Sequence, residues 1–249
     1  MKVVIFGAGL IGSQVAAKLS GTGHDVVALG RDDGIDTTTG AGVADAVKGA
    51  DVVVDLTNSP SWADDEVLAF FRDSTSHLLA AEEDAGVGHH VTLSIVGADR
   101  LTDSGYMRAK LAQENLIKDG PIPYTIVRST QFFEFIAGMA GAMTVGGTVR
   151  ATPAHLQPIA SSDVAARVAE VVMADPVKDT VEIAGPEALG IDELIRRQFA
   201  AIGNERTVTT DPGAGYFSAQ LDDAALTPTP GAGAWIAPTT LDEWLTEAR

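Results

Sequence analysis

The sequence contains no cysteine. Disulfide bonds, thiolate nucleophiles and zinc sites with cysteine ligands are therefore excluded. The five histidines do not suggest a metal site either. His89 and His90 point to opposite sides of a predicted strand, and the other three fall in separate predicted elements. We expect no metal cofactor.

Basic residues are scarce as well, because 17 lysines and arginines stand against 34 aspartates and glutamates, for a net charge of −17. Such a chain has no basic stripe to replace the counterions of phosphates, so nucleic acid is not an expected partner. The same charge disfavours an anionic membrane surface. No apolar run is long enough to cross a bilayer, and the chain starts with a strand instead of a charged leader. We therefore expect a cytoplasmic protein.

The N-terminal segment carries the pattern Gly-x-Gly-x-x-Gly between a predicted strand, Val3–Phe6, and a predicted helix. The first glycine permits a tight turn, the second lets backbone N–H groups approach a pyrophosphate, and the third lets the helix pack closely on the strand. The positive end of the helix then faces the anion. The predicted dinucleotide contacts are Gly7, Gly9, Leu10, Ile11 and Gly12.

The end of the second predicted strand, Asp25–Gly30, decides which dinucleotide is bound. Arg31 follows directly, where the adenosine ribose should lie, and a guanidinium suits a 2′-phosphate. Asp32 is the alternative, because a carboxylate about twenty residues after the glycines commonly holds a free ribose hydroxyl. We weigh Arg31 above Asp32 because it is nearer the strand end. The sequence therefore favours NADP(H) over NAD(H).

Strands and helices alternate along the first half of the chain, which predicts a Rossmann-type, doubly wound α/β fold with a parallel sheet. Residues 1–130 form the expected NAD(P)-binding core. Residues 131–249 make up the second part of the chain, which is interleaved with a last core strand at about 180–185. We expect the two parts to make one structural domain.

The segment between the second strand and the next one is short and polar. Residues 34–50 leave room for only a reduced third strand and a helix around Val43–Val47. Thr57 and Asn58 follow the next strand. Because the loops at the carboxyl ends of the strands line the cofactor crevice, both residues are predicted to contact the cofactor.

Ser94, Tyr106 and Lys110 form the predicted catalytic group. Ser94 lies near the end of a strand, and the following helix carries Tyr106 and Lys110 four residues apart on one face. A nearby ammonium is expected to lower the pKa of a tyrosine from about 10, and the serine hydroxyl can hydrogen-bond a carbonyl oxygen. The predicted reaction is hydride transfer from nicotinamide to a carbonyl carbon, with Tyr106 as general acid. Lys110 is also expected to anchor the nicotinamide ribose.

The glycine turn Gly7–Gly12, Ser94 and the segment Tyr106–Lys110 resemble the short-chain dehydrogenase/reductase superfamily. Leu93–Ala98 and Val127–Phe135 are similar to its atypical, NmrA-like branch. This resemblance covers nearly the whole chain. It implies an NAD(P)-binding Rossmann domain with a small substrate lobe.

The chain departs from this pattern in two ways. Many active members carry a relay asparagine before the serine strand, and no asparagine lies between Asn58 and Asn115. Conversely, NmrA-like redox sensors commonly lack the tyrosine that is present here, which favours an NADP(H)-dependent reductase of an aldehyde, ketone or quinone. The alternative is a non-catalytic redox sensor that binds NADP(H) and a partner protein. An epimerase or dehydratase of nucleotide sugars ranks last, because the C-terminal region looks too short for a sugar-nucleotide lobe.

The remaining predicted site residues follow the strand Tyr124–Val127. Arg128, Ser129 and Thr130 should border the carboxamide end of the nicotinamide. The expected substrate partner is a small carbonyl compound, and the protein is expected to be a monomer or a homodimer. Candidates for the substrate wall are Gln131, Phe132, Phe133, Tyr216 and Phe217.

Overall fold

The computed structural model describes residues 1–216 and 219–247, so Phe217 lies outside the described residues. Runs of β-branched residues alternate with amphipathic helices, as in a parallel α/β sheet. The first elements are β1 (Lys2–Phe6), α1 (Leu10–Leu19), β2 (Asp25–Leu29), α2 (Val43–Ala46), β3 (Val52–Asp55), α3 (Asp64–Ala85), β4 (His89–Ile95), α4 (Gly105–Asp119) and β5 (Tyr124–Ser129).

Shorter elements dominate the rest of the chain. They are α5 (Ile136–Ala142), β6 (Thr144–Val145), β7 (Thr148–Ala151), β8 (His155–Leu156), α6 (Ser161–Met173), β9 (Asp179–Ala184), β10 (Leu189–Gly190), α7 (Ile191–Ile202), β11 (Val208–Thr210), β12 (Trp235–Ile236) and α8 (Leu241–Glu247). Two 3-10 turns, Arg31–Asp33 and Phe133–Phe135, complete the description.

Seven strands form the main sheet in the order β12-β9-β5-β4-β3-β1-β2. β1 pairs in parallel with β2 and β3, and Val4 of β1 lies between Val27 and Val53. The pairs β3–β4 and β9–β12 are parallel too. Parallel strands joined through helices are the mark of a Rossmann-type sheet. The predicted fold class is confirmed.

The direction of the strand order reverses at β1. The chain passes from β1 to β2 on one side, and then crosses to β3 on the other side of β1. In doubly wound sheets the ligand binds outside the carboxyl ends of the strands at such a reversal. Gly7, Gly30 and Thr57 follow the carboxyl ends of β1, β2 and β3. The fold therefore brings the predicted cofactor loops to one edge of the sheet.

The reduced third strand that we expected in residues 34–50 does not form. This segment holds an isolated antiparallel bridge between Asp36 and Ala41, followed by the short helix α2. Gly40 and Gly42 adopt positive φ angles of 76° and 77°, which turn the chain instead of extending it. Among the described residues, β2 is therefore the edge strand of the sheet.

The chain divides into two compact units. The first comprises residues 1–128 and 164–181, and the second comprises residues 129–163 and 182–249. The sequence placed the boundary between core and lobe at residue 130. The division in the structure also assigns most of α6 and the start of β9 to the first unit. That the two parts make one structural domain stays a prediction.

The second unit contains two small sheets, β11-β7-β6 and β10-β8. The segment after Phe132 begins as a 3-10 turn and continues as α5. Ile159, after β8, forms only an isolated bridge with Phe132. The segment 227–239 is rich in proline and glycine but contributes β12, because Trp235 and Ile236 pair with the end of β9.

Candidate functional site

Gly7 and Gly12 are required by the packing of the chain itself. Gly7 has a φ of +97°, and a Cβ there would lie 2.5 Å from the carbonyl oxygen of Leu56. A Cβ on Gly12 would lie 2.0 Å from the carbonyl oxygen of Gly7. The first glycine lets the turn pass the end of β3, and the third lets α1 pack on that turn.

Gly9 is different, because its φ is −78° and a Cβ there would meet no heavy atom within 4 Å. Gly9 forms the N-terminus of α1, and no side chain caps that end of the helix. The positive end of a helix beside open space is a suitable site for a pyrophosphate. Leu10 is exposed, whereas the Ile11 side chain is buried in the core, so only the backbone of Ile11 faces this space. These features fit a dinucleotide.

A cavity of about 120 Å³ lies at the carboxyl ends of the first three strands of the first unit. Four predicted cofactor residues line it: Gly7, Arg31, Thr57 and Asn58. The sequence missed the others, because they belong to no recognisable motif and meet only through the fold. These are Phe6, Leu29, Gly30, Ile35, Asp36, Thr37 and Phe70.

The 3-10 turn after β2 separates the two candidates for the ribose contact. Arg31 is exposed and lines the cavity, whereas Asp32 does not belong to the lining within the described chain. The carboxylate of Asp33 accepts a hydrogen bond of 2.8 Å from the backbone N–H of Gly30. Asp33 therefore fixes the turn, and the guanidinium of Arg31 is the cation presented at the cavity.

Tyr106 lies near the start of α4 and reaches the same region. Its hydroxyl donates to Oδ1 of Asn58 at 3.2 Å. Its ring lies 5.3 Å from that of Trp62 and 6.0 Å from that of Phe71, centroid to centroid. Burial raises the pKa of Tyr106 to about 12. The expected lowering by Lys110 is therefore wrong for the protein alone, because desolvation governs this phenol.

Lys110 is almost fully buried, and its ammonium is held by groups of the core. Nζ donates to the carbonyl oxygen of Leu93 at 2.9 Å and to Oε1 of Gln113, and it lies 4.4 Å from the centre of the Phe71 ring. Burial lowers the pKa of Lys110 to about 8, although the charges of Asp55 and Glu114 oppose this.

A chain of hydrogen bonds continues from Lys110 to the cofactor loop. The side-chain amide of Gln113 donates to Oδ2 of Asp55 at 2.8 Å. Oδ1 of Asp55 accepts from the backbone N–H of Thr57 at 3.0 Å and from its hydroxyl at 2.6 Å. Gln113 and Asp55 are both buried, and no local sequence pattern indicated this connection. It ties the predicted catalytic helix to the loop that lines the cavity.

Ser94 belongs to a separate buried network. Its hydroxyl donates to Oε1 of Glu114 at 2.6 Å. Arg128 donates to both oxygens of Glu114, at 2.8 and 2.7 Å, and to Oδ2 of Asp99 at 2.8 Å. Burial raises the pKa of Glu114, but Arg128 and Ser94 outweigh it and hold this pKa below its ordinary value. Arg128, predicted to border the nicotinamide, is thus the partner of the buried Glu114 and of the exposed Asp99.

The structure does not bring Ser94, Tyr106 and Lys110 onto one common acceptor within the described residues. The tyrosine hydroxyl meets Asn58, the ammonium meets Leu93 and Gln113, and the serine hydroxyl meets Glu114. The ring of Phe71 contacts both Tyr106 and Lys110.

The other predicted residues belong to the second unit. The hydroxyl of Ser129 donates to the carbonyl oxygen of Thr130, and that of Thr130 donates to the carbonyl oxygen of Gln157. Gln131 is buried, and both polar atoms of its amide lack a hydrogen-bond partner in the part of the chain that the structure describes. Such an amide is suited to a polar ligand.

The predicted aromatic wall is partly packed inside the second unit. Phe133 is buried, and its ring lies 5.5 Å from that of Trp244. Phe132 stacks on the exposed Phe135, with ring centres 5.3 Å apart. Tyr216 is buried as well.

The described residues hold no group of three or more histidine, aspartate or glutamate side chains placed to bind a metal ion. Among them there is also no helix with the length and apolarity that a membrane crossing requires.

A parallel sheet with a glycine turn and an uncapped helix at its point of reversal defines a Rossmann-type dinucleotide-binding protein. A family model described as NAD(P)H-binding matches residues 33–175, more than half of the chain. The chain therefore belongs to this NAD(P)H-binding family, in agreement with the NAD(P) binding implied by its resemblance to the short-chain dehydrogenase/reductase superfamily. A nicotinamide dinucleotide is its cofactor. No curated protein matches the sequence.

Solved structures share the fold at low identity. MoeE5 in complex with UDP-glucose and NAD is 20% identical, with a TM-score of 0.76, over 99% of this chain and 96% of that one. A short-chain dehydrogenase/reductase superfamily protein from Agrobacterium tumefaciens with bound NAD is 18% identical, with a TM-score of 0.72, over 100% and 96%. The NADPH-dependent quinone oxidoreductase QOR2 from Escherichia coli, complexed with NADPH, is 22% identical, with a TM-score of 0.67, over 84% and 77%.

Proposed function

We propose that the protein is an NADP(H)-dependent oxidoreductase that reduces a carbonyl group of an aldehyde, ketone or quinone, with Tyr106 as the general acid. The observation that carries this proposal is the hydrogen bond from the Tyr106 hydroxyl to Asn58, a residue that lines the cavity beside the glycine turn. A phenol beside that cavity supports the proposal, because the reduction of a carbonyl group requires a proton donor. The quinone oxidoreductase activity in the name of QOR2 is consistent with this chemistry.

The residues of the chain supply binding and the proton. The nicotinamide, when bound, supplies a hydride to the carbonyl carbon. Negative charge then develops on the carbonyl oxygen, and the phenol of Tyr106 donates its proton to that oxygen. A pKa of about 12 keeps the phenol protonated at neutral pH, which is the form that an acid requires. Asn58 accepts the hydrogen bond of the Tyr106 hydroxyl until a substrate carbonyl replaces it as the acceptor.

Arg31 supports the choice of NADP(H). Its exposed guanidinium lines the cavity next to Gly30, where a 2′-phosphate on the adenosine ribose could accept two parallel hydrogen bonds. The backbone at Gly9 and the start of α1 would hold the pyrophosphate.

The roles proposed for Ser94 and Lys110 stay predictions. The Ser94 hydroxyl donates a hydrogen bond to Glu114, and it would have to give up this bond before it could donate to a substrate carbonyl. The ammonium of Lys110 would have to leave Gln113 to reach a ribose. In the structure it lies over the ring of Phe71, and that ring contacts Tyr106 edge to face. The same holds for Arg128, which would have to leave Glu114 in order to contact a nicotinamide.

The test is Tyr106→Phe, assayed with NADPH against a panel of aldehydes, ketones and quinones. We expect turnover to fall by a factor of about 100 or more while NADPH binding is retained, since the substitution removes only the acid. Tyr124→Phe at the start of β5 is the matched control, because it removes a phenol outside the site. Retention of turnover by Tyr106→Phe would refute Tyr106 as the acid.

A second candidate function is a non-catalytic, NmrA-like redox sensor. The observation that favours it is that Ser94 and Lys110 are both held in buried contacts, so the predicted catalytic group is not assembled around Tyr106. This function predicts tight NADP(H) binding, no NADPH consumption across the same panel, and a protein partner whose affinity changes with the redox state of the cofactor.

A third hypothesis is an enzyme that acts on nucleotide sugars, which we rank last because the C-terminal region looks too short for a sugar-nucleotide lobe. The length of that region does not exclude such an enzyme, because this chain spans 96% of MoeE5, whose structure contains UDP-glucose. We therefore include UDP-glucose with NAD(H) and NADP(H) in the same substrate panel.

A further inference from the structure

Trp62 is a large apolar side chain that is mostly exposed to solvent. Its side chain is 63% exposed, which places it among the most exposed large apolar residues of the described chain. It follows the cofactor loop of β3, four residues after Asn58 and two residues before α3. Its indole lies against the ring of Tyr106 at 5.3 Å, with an interplanar angle of 38°.

The loop that carries Trp62 is fixed by its own side chains. Ser59 N–H donates to Oδ1 of Asn58, Ser61 N–H donates to Oγ of Ser59, and Ala63 N–H donates to Oγ of Ser61. These bonds run from the cavity to the start of α3 without a gap. An exposed indole presented by a braced loop loses little conformational freedom when a ligand stacks on it.

The neighbours of the indole are the groups of the proposed reaction. Tyr106 contacts the indole with its ring and Asn58 with its hydroxyl, and Asn58 lines the cavity. Phe71 supports Tyr106 from within the core, edge to face. Trp62 is thus connected through Tyr106 to Asn58, which lines the cavity of the first unit.

We propose that Trp62 is the substrate-stacking residue of this site, and that the substrate is a flat, conjugated carbonyl compound, an aryl aldehyde, an aryl ketone or a quinone. This inference rests on the proposed function. A conjugated ring lying on the indole gains an aromatic contact that a saturated ring of the same size does not, and its carbonyl oxygen, in the ring plane, can accept the Tyr106 hydroxyl. A general apolar patch would not distinguish a flat ring from a puckered one.

The kinetic experiment compares benzaldehyde with cyclohexanecarbaldehyde, which differ in planarity and aromatic character at nearly equal size. In Trp62→Ala we expect KM for benzaldehyde to rise about 2- to 12-fold, while KM for cyclohexanecarbaldehyde stays within about twofold. Trp62→Phe should restore most of the loss, because it keeps an aromatic face. Ile202→Ala, which trims an exposed apolar side chain at the end of α7, is the control.

A binding measurement separates this inference from the proposed function. 1,4-Naphthoquinone should quench the tryptophan fluorescence of the wild-type protein with NADP⁺ in a saturable manner, and Trp62→Phe should lose that quenching although Trp235 and Trp244 remain. No consumption of NADPH by the wild type with any aldehyde, ketone or quinone of the panel would refute the proposed function, and the quenching would still test Trp62. Equal changes of KM for both aldehydes in Trp62→Ala, or unchanged quenching in Trp62→Phe, would overturn the stacking role.

Discussion

The hydroxyl of Ser94 donates a 2.6 Å hydrogen bond to Glu114, a fully buried carboxylate that also forms an ion pair with Arg128. The serine of the predicted catalytic group is thereby part of the internal structure of the first unit. A hydrogen bond to a buried charge contributes about 1.5–3 kcal/mol, and an ion pair of this kind leaves an uncompensated charge when one partner is removed.

We therefore expect Ser94→Ala to lower the free energy of unfolding by about 1.5–3 kcal/mol, and Glu114→Gln to lower it by about 3–5 kcal/mol. Urea denaturation measures both. Stabilities equal to the wild type would contradict the network. Turnover of Ser94→Ala, assayed where the variant is still folded, then tests the separate prediction that Ser94 binds the substrate carbonyl.

Gly9 and Gly12 of the turn should respond differently to alanine. Gly9→Ala is expected to fold with a stability within about 0.5 kcal/mol of the wild type, because its Cβ enters open space, but to bind dinucleotide about tenfold or more weakly. Gly12→Ala should lose about 1–3 kcal/mol of stability, because its Cβ clashes with the Gly7 carbonyl. Thermal unfolding and cofactor titration separate the two effects. Normal cofactor affinity in Gly9→Ala would show that the pyrophosphate lies elsewhere.

The features that could be predicted from the sequence depend on residues close together in the chain. Ile11, Val15 and Leu19, spaced four residues apart, form the buried face of α1. Thr240 and Glu243, three residues apart, form the capping box at the start of α8. The side-chain direction of Tyr106 and Lys110 on a helix is local information of the same kind.

The acceptors that meet those side chains are not local. Asp55 precedes Gln113 by 58 residues, and the polar chain between them exists only because β3 lies beside α4 in the fold. The pKa of Tyr106 is likewise raised by burial, which no spacing within α4 could indicate. The rings that contact Tyr106, Trp62 and Phe71, come from an earlier part of the chain.

The choice between dinucleotides depends on Arg31. We expect Arg31→Ala to weaken NADPH binding about 10- to 100-fold, the loss of charge-assisted hydrogen bonds to a phosphate, and to leave NADH binding nearly unchanged. Asp32→Ala is the matched control in the same turn and should change neither affinity appreciably. Calorimetric titration with both cofactors is the measurement. An equal loss for NADPH and NADH would show that Arg31 contacts a part common to both.

The adjacent residues His89 and His90 should titrate in opposite directions. Burial, assisted by the charge of His90, lowers the pKa of His89 to about 4. Burial also opposes protonation of His90, but Glu82, at 2.9 Å from its Nδ1, outweighs burial and raises the pKa of His90 above its ordinary value. The reason is the alternation of a strand, which turns His89 towards Thr125 and His90 towards α3.

The effect of His90 on stability has a definite sign. Because its folded-state pKa exceeds the unfolded value of about 6.5, its contribution is complete below that pH and is lost as the pH rises through the folded-state pKa. Glu82→Gln should remove this contribution, so the stability difference between wild type and variant should shrink as the pH rises above about 6.5. For His89 the sign is reversed, since its folded form takes up a proton only near pH 4, so its contribution falls as the pH drops from about 6.5 towards that value. NMR titration of the imidazoles, assigned with His89→Gln and His90→Gln, measures both pKa values directly, and two similar values would contradict the opposed environments.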